Sequence, residues 1–286
     1  MQISLLPGGR RLHLHHGPID LIVEAFGAQD QIAEAYALAG QRFDGLLEEL
    51  VAELPALRSP VSPRQALPKG SVANAMSLAA RKHLPSFVTP MAAVAGAVAD
   101  AVVAAMTQGP QLERAYVNNG GDCAFYLAEG TSMTAAIAGL RSQVVISASS
   151  PVRGLATSGW RGRSWSLGIA DSVTVLAATA AQADVAATML ANAVDLPGHP
   201  AIQRLPANQV EVGSELEERL VTIQVGKLTS AEITEALANG EALARALIDR
   251  GEIEGAVLAL SGNLRCLQAQ EDTFLQTEQP PELAYA

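Results

Sequence analysis

The apolar half of this chain is built from small side chains. Hydrophobic residues fill 49% of its 286 positions but aromatic residues only 4%, so burial must come from Ala, Val and Leu. Small side chains let helices and strands approach closely, and 24 glycines add turns and close backbone contacts. A chain of this length and hydrophobicity buries a large core, which excludes global disorder.

The net charge is −10 and unevenly spread. Between Glu211 and Glu254 there are ten acids and four bases, and after Gln268 four acids and no base. The remainder is balanced, with 15 of each. No basic stripe exists for nucleic acid, and adsorption to anionic lipid is disfavoured. Cys123 and Cys266 are the two cysteines, too few for a zinc cage. Arg10, Arg11 and three histidines fall where a secretory signal needs apolar residues, and the best apolar run, 90–106, contains Asp100 and is short for a span. The expectation is a soluble cytoplasmic protein with no nucleic-acid and no membrane partner.

Residues 2–6, 11–15 and 19–26 alternate as short strands around Pro7-Gly8-Gly9 and Gly17-Pro18. Helical spacing runs from Asp30 to Leu54, where Pro55 stops it. Four prolines between 55 and 70 predict an extended loop, a candidate lid. Helices are predicted over 71–82, 90–106, 180–194 and from Thr229, where Thr229-x-x-Glu232 is a capping box, to near Gly251. The 90–106 helix, apolar on both faces apart from Asp100, suits the core, or else a dimer interface. Strands are predicted at 115–118, 123–128, 143–148, 164–169, 172–177, 220–225 and 256–260. Without strict β-α-β alternation, the fold class reads as α+β.

Three segments carry candidate chemistry. In Asn118-Asn119-Gly120-Gly121-Asp122, two glycines permit a ligand close to the backbone and Asp122 can accept a hydrogen bond from it; a plain hairpin turn fits equally. Thr157-Ser158-Gly159 places hydroxyls beside glycine, as a phosphate or ribose contact or as an ordinary glycine-rich loop, with Arg161 and Arg163 as phosphate contacts or a solvated face. Asp184 and Thr188 stand at i and i+4 on one helix face, an oxygen pair suited to Mg²⁺, while an Asp in a first turn also suits the helix dipole. His13, His15 and His16 look like a metal cluster, but alternation splits them between two faces.

The order of these three segments resembles the ApbE superfamily of flavin transferases, over about residues 85–195. Ser86-Phe87-Val88-Thr89-Pro90-Met91 is similar to a diverged further family segment. The resemblance implies a two-layer α/β fold with an antiparallel-rich sheet and flanking helices, residues 1–268 forming one domain before a polar tail, 269–286. It implies transfer of FMN from FAD, with Mg²⁺, to a Ser or Thr of a client redox protein. Implied flavin contacts are Thr89, Pro90, Met91, Asn119, Gly120, Gly121, Asp122, Thr157, Ser158 and Gly159. Implied metal ligands are the Phe125 main-chain oxygen and the Asp184 and Thr188 side chains. The family's His-containing segment before the metal helix is shortened here to Leu167-Gly168-Ile169-Ala170-Asp171-Ser172-Val173, leaving Asp171 as the candidate base. Three readings follow: a transferase, a flavin or nucleotide binder or assembly factor without transfer, and a fold-level likeness with another ligand.

Overall fold

A computed structural model of the chain describes residues 1–137 and 143–269. The N-terminal strands β1 (Gln2–Leu5), β2 (Arg11–His16) and β3 (Ile19–Gly27) lead into α1 (Gln29–Phe43), α2 (Leu46–Ala52), α3 (Leu54–Leu57) and α4 (Ser71–Arg81). A single 3₁₀ turn, Pro90–Ala93, opens α5 (Val94–Met106). There follow β4 (Leu112–Asn119), β5 (Asp122–Leu127), β6 (Ser132–Ala136), β7 (Gln143–Ser147), β8 (Gly154–Ser158), β9 (Ser172–Ala177) and α6 (Ala180–Ala193). The last elements are β10 (Ile202–Pro206), α7 (Ala207–Val210), β11 (Leu220–Val225), α8 (Ser230–Asp249), β12 (Gly255–Leu260) and β13 (Asn263–Gln268).

Nine strands form one sheet in the order β1-β2-β3-β4-β5-β8-β9-β12-β13, with each neighbouring pair antiparallel. Alternation decides its faces. Leu12, Leu14, Leu21, Val23 and Val117 point inward against α1 and α5, and Val173, Val175, Ala256 and Leu258 continue that face under α6 and α8. The opposite face carries Phe125, Leu155, Leu176 and Val257, covered by the β6–β7 hairpin through Val144 and Ile146. This mixed architecture, an antiparallel sheet with flanking helices, meets the expectation from sequence.

Glycine makes the tightest contact possible. A Cβ on Gly96 would lie 2.2 Å from the Ala180 carbonyl oxygen, and one on Gly154 would lie 2.1 Å from the Ala180 nitrogen. The start of α6 is therefore wedged between α5 and β8, backbone against backbone. Buried Ala97, Val98, Ala99 and Val102 make α5 a core helix rather than a surface one.

Two predicted elements differ. The single helix over 30–54 is three, because Gly45 adopts a left-handed φ of 75° and turns the chain. The predicted strand 164–169 is a loop: the Ile169 amide donates to the Val194 carbonyl, and Gly168 presses on the end of α6. Strands β6, β10 and β13 have no counterpart in the sequence reading. Of the polar tail, all but Ala269 lies outside the described residues. No helix among the described residues is long and apolar enough to cross a membrane.

Candidate functional site

Three chain segments meet at the start of α5. The β4–β5 hairpin turns through Gly120 and Gly121, with φ of 67° and 117°, and the Asn118 Oδ1 accepts the Gly121 amide at 2.9 Å. The next side chain back, Asn119, is buried and donates from Nδ2 to the Ala95 carbonyl at 3.1 Å. From α6, Asp184 Oδ2 accepts the Gly96 amide at 3.0 Å. Asp122, Ala95 and Asp184 thereby share one small volume.

That volume is the floor of a cavity of about 480 Å³. Thr89, Met91, Asp122, Asp184 and Thr188 line it, five residues singled out by sequence. Phe87, Arg163, Ser164, Trp165, Asn192, Arg58, Glu211 and Glu215 also line it. The Trp165 indole N–H donates to Glu211 at 2.8 Å, and Arg58 lies 3.7 Å from Glu215, so the acidic segment 211–216 is tied to two other lining residues. Arg58 belongs to the proline-rich 55–70 stretch.

Electrostatics make the floor unusual. Burial pushes the Asp122 carboxyl above the ordinary carboxylate range, with the Thr157 amide (3.1 Å) and the Arg163 guanidinium pulling it back. Asp184 is held well above that range by burial first and by the Asp122 carboxylate second; the Gly96 and Ala95 amides oppose the shift. The two carboxyls disfavour each other's ionisation in a cavity that Thr188 also lines, and while Arg163 answers Asp122, Asp184 is left short of positive charge. A hard cation would supply it, since Mg²⁺ takes one or two carboxylates and completes its shell with water or phosphate. Among the described residues no group of three or more His, Cys, Asp or Glu is placed to hold a metal.

The other singled-out residues lie elsewhere. Pro90 is buried at the first position of the 3₁₀ turn. Thr157 bonds Thr174 side chain to side chain at 2.9 Å, and neither it nor Ser158 is among the cavity's lining residues. At Gly159 a Cβ would lie 2.6 Å from the Asp171 carbonyl oxygen, so that glycine serves a backbone crossing. Phe125 sits in mid-β5, its amide bound to the Arg153 carbonyl, and lines a different cavity of about 460 Å³. Asp171 is fully engaged: Oδ1 accepts from Trp160 (3.2 Å) and Arg161 (2.7 Å), and Oδ2 from the Ser261 amide (2.6 Å). It does not line the cavity with Asp122 and Asp184. Arg161 and Arg163, alike in sequence, are thus parted, one on Asp171 and one in the cavity. Burial pushes the Cys123 thiol up to about 12, away from the thiolate form that a nucleophile needs. His13 has an acidic partner that its local sequence did not suggest, Asp20 across the β2–β3 pair at 2.6 Å.

Trp165, Asn192 and Arg58 carried no sequence signal, because each reaches the cavity only through tertiary contacts. Arg163 was visible as a cation near glycines but not as a neighbour of Asp122.

Among solved structures the chain is similar to the apo form of the flavinyl transferase ApbE of Pseudomonas stutzeri, with 14% identity over 96% of this chain and 98% of that one and a TM-score of 0.45. A mutant of the flavin transferase ApbE of Vibrio cholerae is similar at 14% identity over 91% and 97%, with a TM-score of 0.40. No curated protein matches the chain. The family model described as AbpE bacteria matches residues 3–266, which spans β1 to β13. The chain therefore belongs to that family, the ApbE-like assignment that the order of its motifs implies.

Proposed function

We propose that the protein binds a flavin nucleotide, FAD, together with Mg²⁺, in the cavity between α5, α6 and the β4–β5 turn. The observation that carries this reading is the pair of raised, mutually repelling carboxyls, Asp122 and Asp184, in one cavity with Thr188. Asp184 and Thr188 would hold the cation, Asp122 would accept from the nucleotide, and Arg163 would meet phosphate. Phe87 and Trp165 supply flat apolar walls for a ring system. When bound, Mg²⁺ supplies neutralisation of phosphate charge.

Binding without transfer is the reading we favour over FMN transfer to a client Ser or Thr. Transfer needs a group to take the hydroxyl proton, and a positioned base contributes about 10²–10⁴-fold. No histidine lines the cavity, and both Asp171 oxygens are engaged elsewhere. Flavin fluorescence during an FAD titration, in Mg²⁺ and then in EDTA, tests the proposal. Mg²⁺-dependent saturation that is lost in Asp184→Ala supports it; no saturation by about 100 μM FAD, well above a tight cofactor Kd, sinks it. AMP release on adding a redox protein would restore the transferase.

A further inference from the structure

We propose a second site, for a phosphate group, on the outer face of the sheet beside the Gly120 turn. Here alternation lines up polar side chains of β2, β3 and β4, beyond the part of β4 that meets the β6–β7 hairpin through Arg114 and Tyr116. Arg11 and His13 stand two apart on β2, and Tyr116 and Asn118 two apart on β4. With Asp20 and Arg163 they line a cavity of about 360 Å³.

Its charge is unsatisfied in the opposite sense to the first cavity. Arg42, Arg161 and Arg204 each lie on a carboxylate. The side chains of Arg11 and Arg163 make no hydrogen bond or ion pair among the described residues, although the Arg163 guanidinium acts on the Asp122 carboxyl through space. Two carboxylates of this face are engaged by other groups: Asp20 holds the His13 ring at 2.6 Å, and Glu24 accepts the Tyr116 hydroxyl at 2.8 Å. Two guanidiniums from separate parts of the chain, lining one cavity with an imidazole and an amide, suit the oxygens of a phosphate, which guanidinium forks bind in pairs. A phosphate dianion answers both cations where a monocarboxylate answers one.

Arg163 lines both cavities, and its guanidinium lies against Gly120. A Cβ at Gly120 would lie 1.8 Å from the Arg163 Nη2. The side-chain-free turn thus makes room for that guanidinium. The two sites share Arg163, while Arg11 lines only the second of them, so Arg11 separates this proposal from flavin binding.

The test is calorimetric titration of inorganic phosphate and of AMP, in EDTA at constant ionic strength, into wild type, Arg11→Gln and Arg161→Gln. Wild type should bind with one-site saturation, Arg11→Gln should bind about tenfold or more weakly, and Arg161→Gln should match wild type. AMP binding tighter than phosphate identifies a nucleotide as the source; equal affinities identify free phosphate. No saturation by about 10 mM of either ligand overturns the proposal. So does unchanged affinity in Arg11→Gln, provided its thermal melt matches wild type. In parallel, Mg²⁺-dependent FAD binding should be the same in Arg11→Gln and wild type. If it falls with phosphate binding, the outer face is an annex of the first cavity and the second site does not exist. If FAD fails to bind at all while phosphate binding depends on Arg11, only the flavin reading is lost.

Discussion

Asp100 and Asp184 perform one task for each other's helices. Asp100, in α5, accepts the Ala180 and Ala181 amides at 3.0 and 2.9 Å and so caps α6. Asp184, in α6, accepts the Gly96 amide at 3.0 Å and so caps α5. Both are desolvated and both carboxyls are raised, Asp100 to about 6. The difference lies in the company. Both oxygens of Asp100 go to backbone amides, whereas Asp184 shares its cavity with Asp122 and Thr188. A cap that is saturated stabilises; a cap left facing a second carboxyl acquires an appetite for a cation.

The largest expected effect comes from removing the contact that brings the two helices together. Gly96→Ala drives a methyl into the Ala180 carbonyl, and because backbone must move, the loss is about 3 kcal/mol or more, read by urea unfolding. A variant as stable as wild type would mean that α5 and α6 can separate freely. Next, Asp184→Asn should keep the melting temperature within a few degrees yet weaken Mg²⁺-dependent FAD binding by at least about tenfold, since one charged ligand is lost. Asp100→Asn should do the reverse, costing about 1–3 kcal/mol of stability through unsatisfied amides while leaving FAD affinity unchanged. If the two variants behave alike, the distinction between saturated and open caps fails.

A smaller effect is pH-dependent. The folded-state value for Asp100 is about 6, above its ordinary 3.8, so the native state holds that proton more tightly. Its contribution is fully present below about pH 4 and is lost as pH rises through 6, at no more than about 1.4 kcal/mol per pH unit. The stability of wild type relative to Asp100→Asn should therefore rise between pH 6 and 4. His83 works in the opposite direction, burial lowering it from 6.5 to about 4, so that its contribution is lost as pH falls through that window. His83→Gln should remove that acid loss, leaving the Asp100 trend in plainer view.

What the sequence made legible was local. The Gly120-Gly121 turn follows from hairpin chemistry, the Thr229 capping box forms as spaced, and Asp184 and Thr188 share a face because of helical periodicity. The resemblance supplied the cavity floor, but its order of motifs could not say that Gly159 serves a backbone crossing or that Asp171 is bound by Trp160, Arg161 and Ser261. Those facts depend on where β8, β9 and β12 lie side by side. The role of Asp100 was hidden for a related reason. A lone acid in an apolar run reads as an obstacle to membrane insertion, and only its partner 80 residues away reveals it as a cap.

The reciprocal caps also bear on the order of assembly during synthesis. Gly96 emerges from the ribosome 88 residues before the carboxylate that satisfies its amide. Until α6 arrives, the first turn of α5 has open donors and an apolar surface with no neighbour, and α6 in turn cannot settle without Asp100. Neither helix is a folding unit by itself, so a chain truncated before Asp184 should be a target for chaperones and proteases, not a smaller version of the same fold.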